Sequence, residues 1–94
     1  MKKPGPIKRP VYRVELTPTA RKQLLSLPKQ ATDKLRLAID ALTLEPRPDG
    51  VKKLKGREGY RIRAGDYRVL YSISDAILLV EVVKVGQRGN FYGE

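Results

Sequence analysis

A chain of 94 residues with 20 lysines and arginines against 10 aspartates and glutamates, and with 40% hydrophobic residues, holds enough apolar material for one packed core and carries a formal net charge of +10. That basic excess points to a polyanionic partner, because each phosphate neutralised by lysine or arginine releases condensed counterions. Cysteine and histidine are both missing, which excludes disulfides, thiolate nucleophiles, Cys/His zinc sites and histidine bases, and leaves catalysis to arginine, lysine, tyrosine, hydroxyl or carboxylate groups.

Residues 1–10 contain three prolines, a glycine and four basic residues with almost nothing to bury, so they read as a flexible basic arm ahead of a single domain over 11–94. No apolar run approaches the roughly 20 residues that span a bilayer, and Met1-Lys2-Lys3-Pro4-Gly5-Pro6 lacks the hydrophobic region of a signal peptide. A cytoplasmic protein with no membrane partner is the expectation.

From Val11 to Leu16 the pattern alternates, with Tyr12, Val14 and Leu16 on one side and Arg13 and Glu15 on the other, as in a half-buried strand. Thr17-Pro18 pairs an N-cap hydroxyl with a ring that presets the first helical φ, and the helix it opens runs to about Leu27. Leu27-Pro28 breaks that helix and starts another, in which Leu35, Ile39 and Leu42 share a face with Ala31 and Ala38 alongside. Pro46-Arg47-Pro48-Asp49-Gly50 is a dense turn signal. Beyond it, Tyr60–Ala64 and Tyr67–Ser74 flank Gly65-Asp66, a pair suited to a tight hairpin, and the near-continuous apolar run Ile77–Val85 fits a central strand. The order gives an α+β fold: an N-terminal strand, a helical hairpin and a three-stranded antiparallel meander, with the helices packed on one face of the sheet.

A turn at Gly65-Asp66 sets Ala64 against Tyr67, Arg63 against Arg68, Ile62 against Val69 and Arg61 against Leu70. Tyr60, Ile62, Ala64, Tyr67, Val69 and Tyr71 then share a core-facing side, and Arg61, Arg63 and Arg68 share the other. Arginines opposed across a ladder repel by a few tenths to about 1 kcal/mol. A cluster placed at that cost suits phosphate, which each guanidinium grips through two parallel hydrogen bonds. The alternative is a structural network in which Glu81 or another carboxylate neutralises the cluster. Arg88, after Val85-Gly86-Gln87, and Tyr92, in the tail Asn90-Phe91-Tyr92, are weaker candidates on their own.

Taken in order, Lys53-Leu54-Lys55-Gly56, Tyr60-Arg61-Ile62-Arg63, Tyr67-Arg68-Val69-Leu70-Tyr71 and Val85-Gly86-Gln87-Arg88 with Tyr92 resemble the RelE/ParE superfamily of toxins, over Tyr12 to the end. The resemblance is to the RelE branch, whose members enter the ribosomal decoding site and cleave mRNA. It implies catalytic roles for Arg61 and Arg63, at that branch's basic pair, and for Arg68, Arg88 and Tyr92, which match its strand arginine, late arginine and terminal tyrosine. It also implies RNA or ribosome contact by Lys52, Lys53, Lys55 and Arg57.

The implied reaction is attack of a 2′-hydroxyl on the adjacent phosphorus with loss of a 5′-hydroxyl, which requires neither metal nor other cofactor. Arg68 and Arg88 would stabilise phosphoryl charge, and Tyr92 suits either stacking on a base or proton donation. Arginine stays protonated, so proton removal is left to a phosphate oxygen, to water or to a residue of the ribosome. The implied partners are mRNA, the ribosome and a cognate acidic antitoxin. The extra C-terminal helix of some relatives is not expected here. Two other readings share the composition: a ParE-like inhibitor of DNA gyrase without nuclease activity, and a non-enzymatic basic RNA-binding module. Against the latter, the strand faces lack the aromatics on which single-stranded bases usually stack.

Overall fold

Thr17 caps the first helix as its sequence predicts. Its backbone is extended (φ −66°, ψ 161°), its hydroxyl accepts the Ala20 N–H at 3.1 Å, and Pro18 occupies the first turn. The structure, a computed structural model, describes residues 10–87. The basic arm expected over 1–10 therefore lies outside the described residues apart from Pro10, as do Arg88 and Tyr92.

Strand β1 (Arg13–Leu16) leads into helix α1 (Pro18–Leu25), which stops at Leu25, two residues short of the expected Leu27, with Ser26 at its C-cap. Helix α2 (Lys29–Ala41) follows at once. The junction is tied by Thr32, whose hydroxyl lies 3.3 Å from the Leu24 carbonyl and 3.1 Å from that of Pro28, an attachment only a short polar side chain can make. Ala31, Leu35, Ile39 and Leu42 form the buried stripe of α2.

Then come β2 (Lys52–Lys53), β3 (Tyr60–Ala64), β4 (Tyr67–Ser74), a 3₁₀ turn (Asp75–Ile77) and β5 (Leu79–Gln87). The five strands form one mixed sheet in the order β1-β5-β4-β3-β2. The meander β3-β4-β5 is antiparallel, and β1 pairs parallel to β5, so β5 is a central strand. Its start differs from expectation: Ile77 belongs to the turn, and Leu78 takes a left-handed conformation (φ 52°) before the strand opens at Leu79. An apolar run does not by itself distinguish a turn from a strand. The hairpin at Gly65-Asp66 is as expected, with Gly65 at φ 64° and Ala64 opposite Tyr67.

The two helices cover one sheet face. Between them and the sheet lie Leu24, Leu35, Ile39 and Leu42 against Ile62, Val69, Tyr71, Val80, Val82 and Val85. Tyr71 donates its buried hydroxyl to the Pro46 carbonyl at 2.6 Å, which fastens the turn after α2 to the middle strand. Burial pushes the Tyr71 phenol pKa well above its ordinary value. At the same margin Arg47 spans two partners, reaching both carboxylate oxygens of Asp75 (3.3 and 3.0 Å) and the Tyr60 hydroxyl (3.3 Å). Tyr12 donates to Asp75 as well.

Candidate functional site

The observed register sets the arginines on the face opposite the helices. Ile62 and Val69 face each other in the core, Arg63 pairs with Arg68 one row further on, and Arg61 pairs with Leu70. Strand β2 extends this row, because Lys52 lies across from Arg61. The open face thus carries Lys52, Arg61, Arg63 and Arg68 on three neighbouring strands. Arg63 is exposed and makes no hydrogen bond or ion pair among the described residues. Arg61 and Arg68 are half-buried, with their Nε atoms withdrawn from solvent. Glu81, the candidate neutralising group, is exposed and lies across from Ser72, not from any of these arginines.

A small apolar plug gives the face its shape. Leu70 sits on the arginine side, yet it is 1% exposed because Leu54, 8% exposed, closes over it. Leu54 begins the turn between β2 and β3, where its N–H donates to the Gly59 carbonyl at 3.0 Å. Gly59 has φ 127°, and a Cβ there would stand 3.1 Å from the Tyr71 carbonyl oxygen, so glycine lets this turn fold tightly against the sheet. The plug holds the turn bearing Lys55 and Arg57, both exposed, beside the arginines. Lys53 is set apart: it lies across from Tyr60, whose side chain belongs to the helix-facing side. Of the basic residues singled out in the sequence, Lys52, Arg61, Arg63 and Arg68 therefore share one surface, Lys55 and Arg57 border it, and Lys53 does not join it. Arg88 and Tyr92 fall outside the described residues, following β5 directly and at a short interval.

Two residues of this face escaped the sequence reading: Leu70, taken only as a partner of Arg61, and Lys84, which the register sets across from Leu70. Lys84 had a signal available. Strict alternation after Val80 and Val82 would turn a lysine into the core, and a lysine at such a position marks a bulge.

A family model described as the ParE toxin of the type II toxin-antitoxin system, parDE, matches residues 14–92. The chain belongs to this toxin family. Among solved structures, a chain of the archaeal RelE–RelB complex from Pyrococcus horikoshii OT3 is 36% identical with a TM-score of 0.76, over 86% of this chain and 99% of that one. A chain of the RelBE2 toxin-antitoxin complex of Mycobacterium tuberculosis is 33% identical with a TM-score of 0.72, over 88% and 98%. The isolated RelE toxin of E. coli, 23% identical with a TM-score of 0.69 over 86% of this chain and 88% of that one, shares the fold. No curated protein is significantly similar in sequence. The family model bears the ParE name and the similar structures the RelE name, which places this toxin in the RelE/ParE superfamily as a type II toxin of RelE-like fold.

Proposed function

We propose that this toxin is an endoribonuclease that cleaves mRNA on the ribosome, with the open arginine face gripping the RNA phosphates. The observation that carries the reading is Arg63 opposed to Arg68, beside Arg61 and Lys52, on the side opposite α1 and α2. Like charges opposed across a ladder repel, and such a cluster suits a bound polyanion.

In the proposed step the 2′-oxygen bonds to the adjacent phosphorus, the P–O5′ bond breaks, and the 5′-oxygen leaves as a hydroxyl after taking up a proton. Charge builds on the non-bridging oxygens, where the guanidinium groups of Arg61, Arg63, Arg68 and Arg88 stabilise it. Tyr92 is the proposed stacking platform or proton donor. The 2′-hydroxyl proton passes to a phosphate oxygen, to water or to a ribosomal residue, since arginine does not accept it. Lys52, Lys55 and Arg57 contact mRNA or ribosomal RNA along one side of the site, and Lys53 does so from the adjoining edge. An acidic antitoxin is the proposed protein partner, by analogy with the RelE–RelB and RelBE2 complexes, and the cytoplasm is the proposed compartment.

The ParE description of the family model favours a second reading, a gyrase inhibitor that leaves nucleic acid intact. That reading keeps the fold but gives no task to the arginine face together with Arg88 and Tyr92. Primer extension on mRNA with and without translating ribosomes, run beside a gyrase supercoiling assay, separates the two. Discrete cuts that require ribosomes support the nuclease. Intact mRNA with blocked supercoiling overturns it in favour of the second reading.

A further inference from the structure

Strand β5 changes register in its middle. Tyr71 lies across from Val82 and Leu70 across from Lys84, so Val83 is an extra residue with no cross-strand partner in β4. The bulge resets the alternation: Val82 faces the core, Lys84 the arginine side, and Val85 the core again at 2% exposure. Lys84 thereby completes a four-strand row, Lys52–Arg61–Leu70–Lys84, in which the plugged Leu70 is the apolar spacer between two cations. The next row ends in Gly86, across from Arg68, so β5 itself adds no side chain beside Lys84 and Arg68.

The bulge is held from outside the sheet. The Val85 N–H donates to the Gln23 Oε1 at 2.8 Å, and the Thr17 hydroxyl lies 3.4 Å from the Val83 carbonyl. Both residues belong to α1 or its cap, so the helix that covers the core also fixes which way Lys84 points.

We infer that Lys84 is a further phosphate-contacting residue of this face, and that Gln23 is its positioning residue, acting through the bulge. The inference rests on the reading of the face as an RNA site and names its ligand as a phosphate of single-stranded RNA. Lysine supplies a compact point charge with three donors, which complements the planar forks of the neighbouring arginines on one phosphate group.

The test is binding of a labelled 2′-O-methyl RNA oligonucleotide to the full chain across a salt series. That probe lacks the free 2′-hydroxyl, so it is bound without being cut. Lys84→Met is expected to weaken binding about ten-fold at low salt and to make the slope of log K against log salt shallower by about 0.7, the loss of one phosphate contact on a single strand. Lys84→Arg is expected to restore the slope, and Lys22→Met, on the exposed side of α1, to leave it unchanged. Gln23→Met removes the acceptor and is expected to reproduce the Lys84→Met loss, Gln23→Glu to retain binding, and the two methionine changes together to add less than two-fold to either alone. A wild-type slope in Lys84→Met, an equal slope change in Lys22→Met, or losses that simply multiply would overturn the inference. A wild-type chain that binds no oligonucleotide overturns the reading of the face and this inference with it; binding by the wild-type chain that Lys84→Met leaves unaltered overturns this inference alone.

Discussion

At the margin of the helix-covered side, the Arg47 guanidinium has a carboxylate at 3.0 Å, a phenol oxygen at 3.3 Å and an aromatic ring whose centre is 5.4 Å away, whereas on the open side Arg63 has Arg68 across the ladder. The same side chain is therefore used in two ways within one small sheet. Arg47 is surrounded by what neutralises it, and it joins the turn after α2 to the turn before β5. Arg63 stands where the fold supplies repulsion, and Lys52, Arg61 and Lys84 lie in the neighbouring row. A sheet that carries Arg47 against Asp75 at the margin of one side and gathers arginines and lysines on the other places its basic cluster away from the helix-packed core. Removing an arginine from each side should have opposite consequences.

The largest expected effect is on the open side. Arg68→Ala or Arg63→Ala should slow RNA cleavage by about 10²–10³-fold, the loss associated with one charge-stabilising donor, while the folded state persists. For Arg63→Ala the melting temperature should stay level or rise, because a like-charge pair is removed. Single-turnover cleavage with a thermal melt on the same preparations checks both. A folded Arg63→Ala that cleaves at the wild-type rate removes this residue from the site.

How far these regions could be foreseen differs in an instructive way. The arginine face was legible because its determinants are local: a turn pair at Gly65-Asp66 and the two-residue alternation of β3 and β4 fix which side chains share a side. Lys84 needed knowledge of the bulge, which a hydrogen bond from the Val85 N–H ties to Gln23, 62 residues earlier in the chain. The parallel pairing of β1 was hidden for a related reason: alternation in Arg13–Leu16 tells which residues face inward but not which strand lies alongside. Strand β2 has no apolar pattern, since both its residues are lysines, and the apolar residue beside it, Leu54, packs on Leu70 across the sheet. The Arg47–Asp75–Tyr12 cluster joins three distant parts of the chain that no periodicity links.

On the covered side the next effect in size is Tyr71→Phe. It leaves the Pro46 carbonyl without its buried donor, at a cost of about 1–3 kcal/mol, which in a domain of this length lowers the melting temperature by several degrees or more. Cleavage by the folded fraction should not change. If Tyr71→Phe instead lowers cleavage at full stability, the two sides of the sheet are not separable in function.

Arg47→Ala should do less. Its ion pair with Asp75 is partly exposed, and such pairs contribute little individually, so a drop of a few degrees with unaltered cleavage is expected by melting and single-turnover assays. A loss of cleavage comparable to that of Arg68→Ala would show that the covered side also serves the ligand.

The smallest effect, and the one that isolates the covered side's electrostatics, is in the pH dependence of stability. The Asp75 carboxyl is held below the ordinary carboxylate range, first by the hydrogen bonds from Arg47 and then by that from Tyr12. Its folded value lies under the unfolded one, so its contribution is complete above the unfolded pKa of about 3.9 and is lost as pH falls from there through the folded value. Tyr12 works in the other direction. Its phenol is pushed up, mainly by the hydrogen bond to Asp75, so its contribution is complete below the unfolded pKa of about 10 and is lost as pH rises through the higher folded value. Buried Tyr71 adds to the alkaline loss in the same sense. Asp75→Asn should therefore melt below the wild type at neutral pH, and the gap should begin to narrow as pH drops below about 4 and close once pH is under the lowered folded value, where the wild-type carboxylate is protonated too. Tyr12→Phe should weaken the alkaline loss without abolishing it, because Tyr71 remains. Melting curves from acid to alkaline pH on the three proteins decide this. A gap between wild type and Asp75→Asn that stays constant into strong acid would mean that Asp75 is held by its shape and not by its charge. In that case the contrast between a neutralised Arg47 and an Arg63 with no ion pair among the described residues would lose its electrostatic basis.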